Sequence, residues 1–207
     1  MAFLPLISPS LASADPLHLR RAVRLAEERS CRDLHLDIED GNFVPNITFG
    51  VRTVGAVRGA TPLPFSLHLM AENPMDWLPR LSPFGPISIA FAHWEALPYP
   101  RAWVGLCRKL EIPPGIALNP RTPVENLEYL GGELAGVLLL SSEPDGMGEG
   151  FLPSALDRVR RARELLPAPA QVWVDGGVSR ELLPGLGELG ADHAVLGRAF
   201  FGQTPPP

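Results

Sequence analysis

The sequence predicts a single (β/α)₈ barrel, the TIM-barrel fold, and three observations lead to this fold class. Short apolar segments alternate along the 207 residues with longer segments of helical periodicity, and such alternation is typical of a parallel sheet. Eight apolar segments occur, which is the number of strands in this barrel. No G-x-G-x-x-G motif follows the first segment, which disfavours the dinucleotide-binding form of the alternative, a doubly wound open sheet.

The predicted strands are residues 4–11, 33–38, 64–69, 87–91, 114–118, 136–140, 171–174 and 193–196. Between the first two, residues 16–29 carry apolar side chains at helical spacing. Asp15 precedes them as a predicted N-cap, and Pro16 is suited to the first helical position. Residues 153–166 form a second clear helical pattern, with apolar residues on one face and arginines on the other.

Composition limits the partners and the compartment. The formal net charge of −5 and a pI near 5.5 argue against a nucleic-acid-binding protein. No apolar run is long enough to cross a bilayer, and the amino terminus lacks the basic region of a signal peptide. Cys31 and Cys107 are expected to be free thiols in a reducing, cytoplasmic compartment. Residues 1–202 are predicted to form one domain, and 203–207 a flexible tail.

Polar side chains follow almost every predicted strand at its carboxyl end, where barrel enzymes place their active sites. His35 and Asp37 are two residues apart, so a strand directs both to the same side. His68 on the third strand and Asp175 after the seventh complete a set of two imidazoles and two carboxylates. Such a set suits one divalent ion such as Zn²⁺, Fe²⁺, Mn²⁺ or Co²⁺, although no established metal motif is present.

Each of these residues also has a structural interpretation. Asp37 precedes an Asp40–Gly41 turn signal and is also explained as a loop cap. Asp175 is followed by two glycines and is also explained by a tight turn. For His93, after the fourth strand, a hydrogen-bonded supporting role is favoured over a ligand role. Taken together, four such residues at the same end of different strands favour a functional site.

Six segments of the chain carry a resemblance to a known family. They are SPSLASAD at 8–15, HLDIEDGNFVPNITFG at 35–50, HLM at 68–70, LNPRTP at 118–123, VDGGV at 174–178 and GRAFFG at 197–202. In these segments, and in their order, the chain resembles the ribulose-phosphate 3-epimerase family from residue 7 to residue 202. The second segment is highly specific, whereas the others are individually modest.

The resemblance implies a TIM barrel that interconverts D-ribulose 5-phosphate and D-xylulose 5-phosphate. It implies that His35, Asp37, His68 and Asp175 bind one divalent metal. It also implies that Asp37 and Asp175 transfer protons on opposite faces of C3, through a metal-stabilised enediolate. Ser10 matches a residue close to the substrate and metal. Because family members are usually dimers or hexamers, a homo-oligomer is expected.

The substrate-binding residues are predicted from the barrel rule as well as from the resemblance. The phosphate of the sugar is expected beside the loops after strands six to eight, where glycine permits close approach of backbone N–H groups. The candidates for substrate binding are Ser10, His68, Met70, Gly148, Gly176, Gly177, Gly197 and Arg198. The glycines are also explained by tight turns alone.

Three departures from the family pattern leave the substrate open. Glu39 stands where the family has methionine, and it either faces the barrel mouth or turns to solvent. The loop 144–149 reads PDGMGE, with two acids and shuffled glycines. Arg198 replaces a serine, and we expect it to contact phosphate rather than to lie on the surface. The alternatives are an epimerase for another ketose phosphate, such as a ketohexose 6-phosphate, and a sugar-phosphate-binding protein with little turnover.

Overall fold

Eight parallel strands form a barrel in the computed structural model, which describes residues 4–144, 150–166 and 168–202. The strands are β1 (Leu6–Pro9), β2 (Leu34–Glu39), β3 (Phe65–Met70), β4 (Ile87–His93), β5 (Pro114–Leu118), β6 (Gly136–Leu140), β7 (Gln171–Asp175) and β8 (His193–Leu196). Strands consecutive in sequence pair from β2 to β8, and β8 pairs with β1. A parallel bridge between Ser10 and His35 joins the remaining two edges. The predicted fold class is confirmed.

Seven α-helices lie outside the strands in the described part of the chain. They are α1 (Leu19–Glu28), α2 (Val51–Arg58), α3 (Pro74–Leu81), α4 (Pro100–Lys109), α5 (Ala155–Leu165), α6 (Leu183–Glu188) and α7 (Arg198–Phe201). The connection from β5 to β6 consists instead of 3₁₀ turns at Val124–Tyr129 and Gly131–Glu133. None of these helices is long and apolar enough to span a membrane. The predicted tail at 203–207 lies outside the described residues.

The first helical unit differs slightly from its prediction. Residues Pro16–His18 form a 3₁₀ turn before α1 begins. The Asp15 carboxylate accepts a hydrogen bond from the Leu17 backbone N–H at 2.9 Å. The predicted N-cap is therefore confirmed, but it caps this 3₁₀ turn and not α1. The second predicted helix, 153–166, is shorter by a residue or two at each end. Both cysteines are free thiols, as predicted.

The core has two parts, one outside the strands and one within the barrel. The larger part packs the helices against the outer faces of the strands. The smaller part fills one side of the barrel interior with Ile89, Phe91, Ala117, Leu138, Leu140, Trp173 and Val195. Most buried polar side chains of the strands lie on β1, β2, β3 and β8, namely Ser8, His35, Asp37, Ser66, His68 and His193, and His93 ends β4. The barrel interior therefore has an apolar side and a polar side, and the polar side is where a site with charged groups is built.

Gly115 allows the apolar side of the barrel to close. It pairs with Phe91 across the β4–β5 ladder, and a Cβ atom at Gly115 would overlap the Phe91 ring. The Phe91 ring in turn packs edge-on against Trp173, with ring centroids 5.3 Å apart. Because all three residues are enclosed by other strands, the ring has little room to move.

We expect Gly115→Ala to lower the free energy of unfolding by about 1–3 kcal/mol, the usual cost of overpacking a filled core. The matched control is Gly105→Ala on α4, where a new Cβ meets nothing within 4 Å. That change should raise the free energy of unfolding by roughly 0.5–1 kcal/mol, because alanine favours the helix. Equilibrium urea unfolding of the two variants measures both effects. Equal stability of the two variants would contradict the packing argument.

Candidate active site

Four side chains converge at the carboxyl ends of the strands. His35 and Asp37 lie on β2, His68 on β3 and Asp175 at the end of β7. The parallel register pairs Asp37 with His68, and the two-residue spacing directs His35 and Asp37 to the same side. One nitrogen or oxygen atom from each residue lies within 4.8 Å of the others. The structure thus brings together the four residues that the sequence predicts to converge.

The four groups surround one point. His68 Nδ1 lies 3.1 Å from Asp37 Oδ1 and 3.2 Å from Asp175 Oδ2. His35 Nε2 lies 3.3 Å from the same Asp37 oxygen and 3.8 Å from the same Asp175 oxygen. Although buried, His35 Nε2 has no hydrogen-bond partner among the described residues. An unpartnered buried nitrogen facing two carboxylates fits a divalent cation, which would use its lone pair.

The charges of the cluster perturb one another strongly. Burial acts to raise the pKa of Asp37, but His35 and His68 outweigh it and hold that pKa well below its usual range. Burial acts to lower the pKa of His68, but hydrogen bonds to Asp175 and Asp37 raise it to about 9. The carboxyl groups of Asp37 and Asp175 face each other across these imidazoles, an arrangement that a bound cation would also stabilise.

Glu39 faces the barrel mouth, the first of the two alternatives for this residue. It lines the same cavity as Asp37 and Asp175. Burial and the nearby negative charge of Asp37 raise the pKa of Glu39 to about 7. The side-chain amide of Asn46 donates to Glu39 Oε2 at 2.7 Å, which holds the carboxyl group at the edge of the cavity.

Hydroxyl groups fix the position of Asp37 and of the strand around it. Ser10 Oγ donates to Asp37 Oδ2 at 2.5 Å. Thr48 Oγ1 donates to the Asp37 carbonyl oxygen and accepts from the Glu39 backbone N–H at 3.1 Å. The loop after β2 thus folds back on the strand. Asp37 consequently has one oxygen held by Ser10 and the other directed to the two histidines.

A cavity of about 450 Å³ opens beside the cluster and has room for a small sugar phosphate. Its lining includes six of the eight predicted substrate-binding residues, namely Ser10, Met70, Gly176, Gly177, Gly197 and Arg198. His68 is fully buried and reaches the cluster rather than the cavity wall. Gly148, with the acidic loop residues Asp145 and Glu149, lies outside the described residues.

The glycines on the far side of the cavity are required by the backbone. Gly176 and Gly177 have φ angles of +107° and +66°, a region that other residues rarely adopt. A Cβ atom at Gly177 would overlap the backbone of Phe151, and one at Gly197 would overlap the side chain of Ser13. Tight turns and close approach therefore explain these glycines, and all three line the cavity.

Several residues that support the cluster were not identified from the sequence. Ser66 Oγ lies 3.0 Å from His35 Nδ1, and Glu95 lies 3.2 Å from His93 Nδ1. Ser66 shares the parity of His68, so strand spacing alone is a usable signal for it. Glu95 follows the end of β4, where spacing no longer predicts direction. His93 itself contacts His68, in agreement with its predicted supporting role.

A parallel barrel with a buried cluster of histidines and aspartates at the carboxyl ends of its strands is typical of an enzyme. Residues 6–201 match the model of the "Ribulose-phosphate 3 epimerase family". The chain belongs to the ribulose-phosphate 3-epimerase family and is therefore an enzyme of the isomerase class. The resemblance noted in the sequence is confirmed.

Individual relatives agree with this assignment. The chain is 35% identical over 202 residues to a "Ribulose-phosphate 3-epimerase" of Bacillus subtilis, with 96% of this chain and 93% of the relative covered. It is 34% identical to a protein of the same description from Methanocaldococcus jannaschii, covering 95% of this chain and 84% of the relative. A mutant tryptophan synthase alpha-subunit from Pyrococcus furiosus superimposes with a TM-score of 0.72 at 19% identity, covering 96% of this chain and 89% of that one. This last similarity concerns the fold alone.

Proposed function

We propose that the protein interconverts D-ribulose 5-phosphate and D-xylulose 5-phosphate, with Asp37 and Asp175 as the two groups that transfer protons at C3. Inversion at a carbon atom requires a proton to leave one face and another to arrive at the opposite face. The observation that carries the proposal is that two carboxylates from different strands, β2 and β7, line one cavity. Each lies within about 3.2 Å of the same His68 nitrogen, so the two are held a short distance apart.

We further propose that His35, Asp37, His68 and Asp175 hold one divalent cation. Zn²⁺, Fe²⁺, Mn²⁺ and Co²⁺ all suit two imidazoles and two carboxylates. When bound, the cation would supply Lewis acidity for the negative charge that develops on the substrate oxygens in the enediolate. The protein's part is to hold both histidine rings by their outer nitrogens and to fix Asp37 through Ser10. These contacts keep the carboxylates in place while a proton moves.

The phosphate group is proposed to bind at the wall formed by Gly176, Gly177, Gly197 and Arg198. Backbone N–H groups at glycine turns bind anions well, and a guanidinium adds charge-assisted hydrogen bonds. This wall and the carboxylates line the same cavity. A sugar with its phosphate at the wall would extend its carbon chain toward Asp37 and Asp175.

Glu39 supports a second candidate substrate, a ketohexose 6-phosphate. Its carboxyl group lines the cavity close to Asp37, and it offers a hydrogen-bond partner to an additional hydroxyl of a longer sugar. The other alternative, a binding protein with little turnover, does not agree with membership of an enzyme family.

An assay across phosphorylated ketoses tests the substrate. We expect kcat/KM for D-ribulose 5-phosphate to exceed that for D-allulose 6-phosphate by at least about 10-fold, the usual effect of one extra carbon in a fitted pocket. Both reactions can be followed by coupled assays on the metal-loaded protein. A higher kcat/KM for the hexose phosphate would overturn the pentose assignment and leave the epimerase assignment in place.

The second test concerns the proton-transferring groups. We expect Asp175→Asn to lower kcat by about 10²–10⁴-fold, because an amide cannot accept the proton, with an unchanged circular dichroism spectrum. Asp157→Asn is the matched control, since Asp157 is exposed on α5, and it should keep the wild-type rate. Retention of a near-normal rate by Asp175→Asn would remove this residue from its proposed role.

The third test concerns the cation. The wild-type chain is expected to bind one equivalent of Zn²⁺. His35→Ala should weaken that binding by at least about 100-fold, because removing a direct ligand costs more affinity than removing a residue that only contacts a ligand. His18→Ala is the control, since His18 is exposed, pairs with Asp15 and is not part of the four-residue cluster. Competition with a coloured chelator measures both dissociation constants. Equal zinc affinity of His35→Ala and wild type would contradict the proposed site.

A further inference from the structure

A chain of hydrogen-bonding groups runs outward from His68, on the side of its ring away from the cluster. His68 Nε2 lies 2.9 Å from His93 Nε2. His93 Nδ1 lies 3.2 Å from Glu95 Oε2. Both rings are fully buried, so water does not compete for these contacts. The three residues form a continuous line from the cluster to the connection that follows β4.

The position of each hydrogen atom along this line follows from the last residue. Glu95 Oε1 accepts hydrogen bonds from the Asn119 backbone N–H at 3.0 Å and from the Thr122 hydroxyl. An ionised carboxylate only accepts, so His93 Nδ1 must carry the hydrogen atom that faces Glu95 Oε2. The neutral His93 ring then has its lone pair on Nε2, and that lone pair accepts from His68 Nε2–H.

The same reasoning fixes the other nitrogen of His68. Because a metal ligand must be deprotonated, a bound cation would displace the Nδ1 proton that Asp37 and Asp175 favour in its absence. The neutral imidazole that results, with hydrogen on Nε2, has its lone pair on Nδ1. His68 Nδ1 is the atom that lies between Asp37 and Asp175. Its lone pair is therefore presented to the point where the cation is proposed. For His35 the outer partner is Ser66, whose hydroxyl can donate or accept and so does not by itself select a tautomer.

We propose that His93 and Glu95 are positioning residues that hold His68 as the Nε2–H tautomer, with Nδ1 available to a divalent cation. This inference rests on the proposed metal site. Neither residue is a ligand. Contacts of this kind typically change metal affinity by 10–100-fold when they are removed.

Glu95 also has a structural role, which must be separated from this one. It joins β4 to the connection after β5 through Asn119 and Thr122. Arg158 holds the same connection by donating to the carbonyl oxygens of Asn119 and Thr122. Thr122→Val removes one bond from Glu95 to the connection and leaves the His93 contact, so it is the matched control for loss of the structural role.

Zinc affinity of the purified full-length protein tests the proposal. We expect Glu95→Ala to raise the Zn²⁺ dissociation constant by about 10–100-fold, and Thr122→Val to leave it unchanged. His93→Leu should weaken zinc binding as Glu95→Ala does. His93→Gln should restore much of the affinity, because its side-chain oxygen can accept from His68 Nε2–H. Wild-type affinity in both Glu95→Ala and His93→Leu would overturn the proposal, as would equal losses in Thr122→Val and Glu95→Ala.

NMR of the imidazole rings in the zinc-loaded wild type measures the tautomers directly and does not depend on the folding of any variant. Long-range ¹H–¹⁵N correlation is expected to show hydrogen on Nδ1 of His93 and on Nε2 of His68. Hydrogen on Nε2 of His93 would overturn the proposal. A protein with these tautomers and the expected zinc affinities but no epimerase activity would contradict only the proposed function. A wild-type chain that binds no zinc would overturn this proposal, whereas the epimerase assay decides on the proposed function independently.

Discussion

The convergence of Asp37 and Asp175 on His35 and His68 is the arrangement on which the rest of the site depends. Two carboxylates brought this close repel each other, and burial weakens the hydration that would otherwise screen them. The imidazoles offset part of that repulsion, as the low pKa of Asp37 and the raised pKa of His68 indicate. What keeps the groups together is the barrel, because β3 and β7 are fixed by ladders on both sides, and β2 by its ladder with β3 and the bridge between Ser10 and His35.

The barrel interior separates polar from apolar side chains, and the cluster of histidines and aspartates lies on the polar side. Trp173 marks the boundary, since it packs against Phe91 on one side and stacks on His193 on the other, with ring centroids 3.7 Å apart in the second pair. Burial lowers the pKa of His193 to about 4, so this ring is neutral at ordinary pH. Charge is therefore concentrated at the carboxyl ends of the strands, whereas the histidine on the aromatic boundary adds none.

Strand parity made the four-residue cluster predictable from the sequence. His35 and Asp37 needed only a two-residue spacing, and the barrel rule brought His68 and Asp175 to the same end. The orientation of Glu39 was not predictable, because it depends on Asn46 in a loop that folds back over the strand. Glu95 was missed for a related reason: its partners Asn119 and Thr122 are more than twenty residues away, and no periodicity relates them. The 3₁₀ connection after β5 likewise lacks the helical spacing by which the other units were recognised.

The two histidines of the cluster are not equivalent, and the difference follows from their neighbours. His68 turns Nδ1 inward, and its outer nitrogen meets an imidazole followed by a carboxylate, whereas His35 turns Nε2 inward and meets a serine hydroxyl. Where a series of hydrogen bonds ends on a carboxylate, which can only accept, the carboxylate determines which nitrogen of each imidazole carries hydrogen. A hydroxyl can donate or accept and therefore imposes no such choice. His68 also contacts both aspartates at about 3.1–3.2 Å, so the ring with the more strongly determined tautomer is the one that lies closest to both groups proposed to transfer protons. Orientation is thus most tightly controlled where a small rotation would disturb both carboxylates at once.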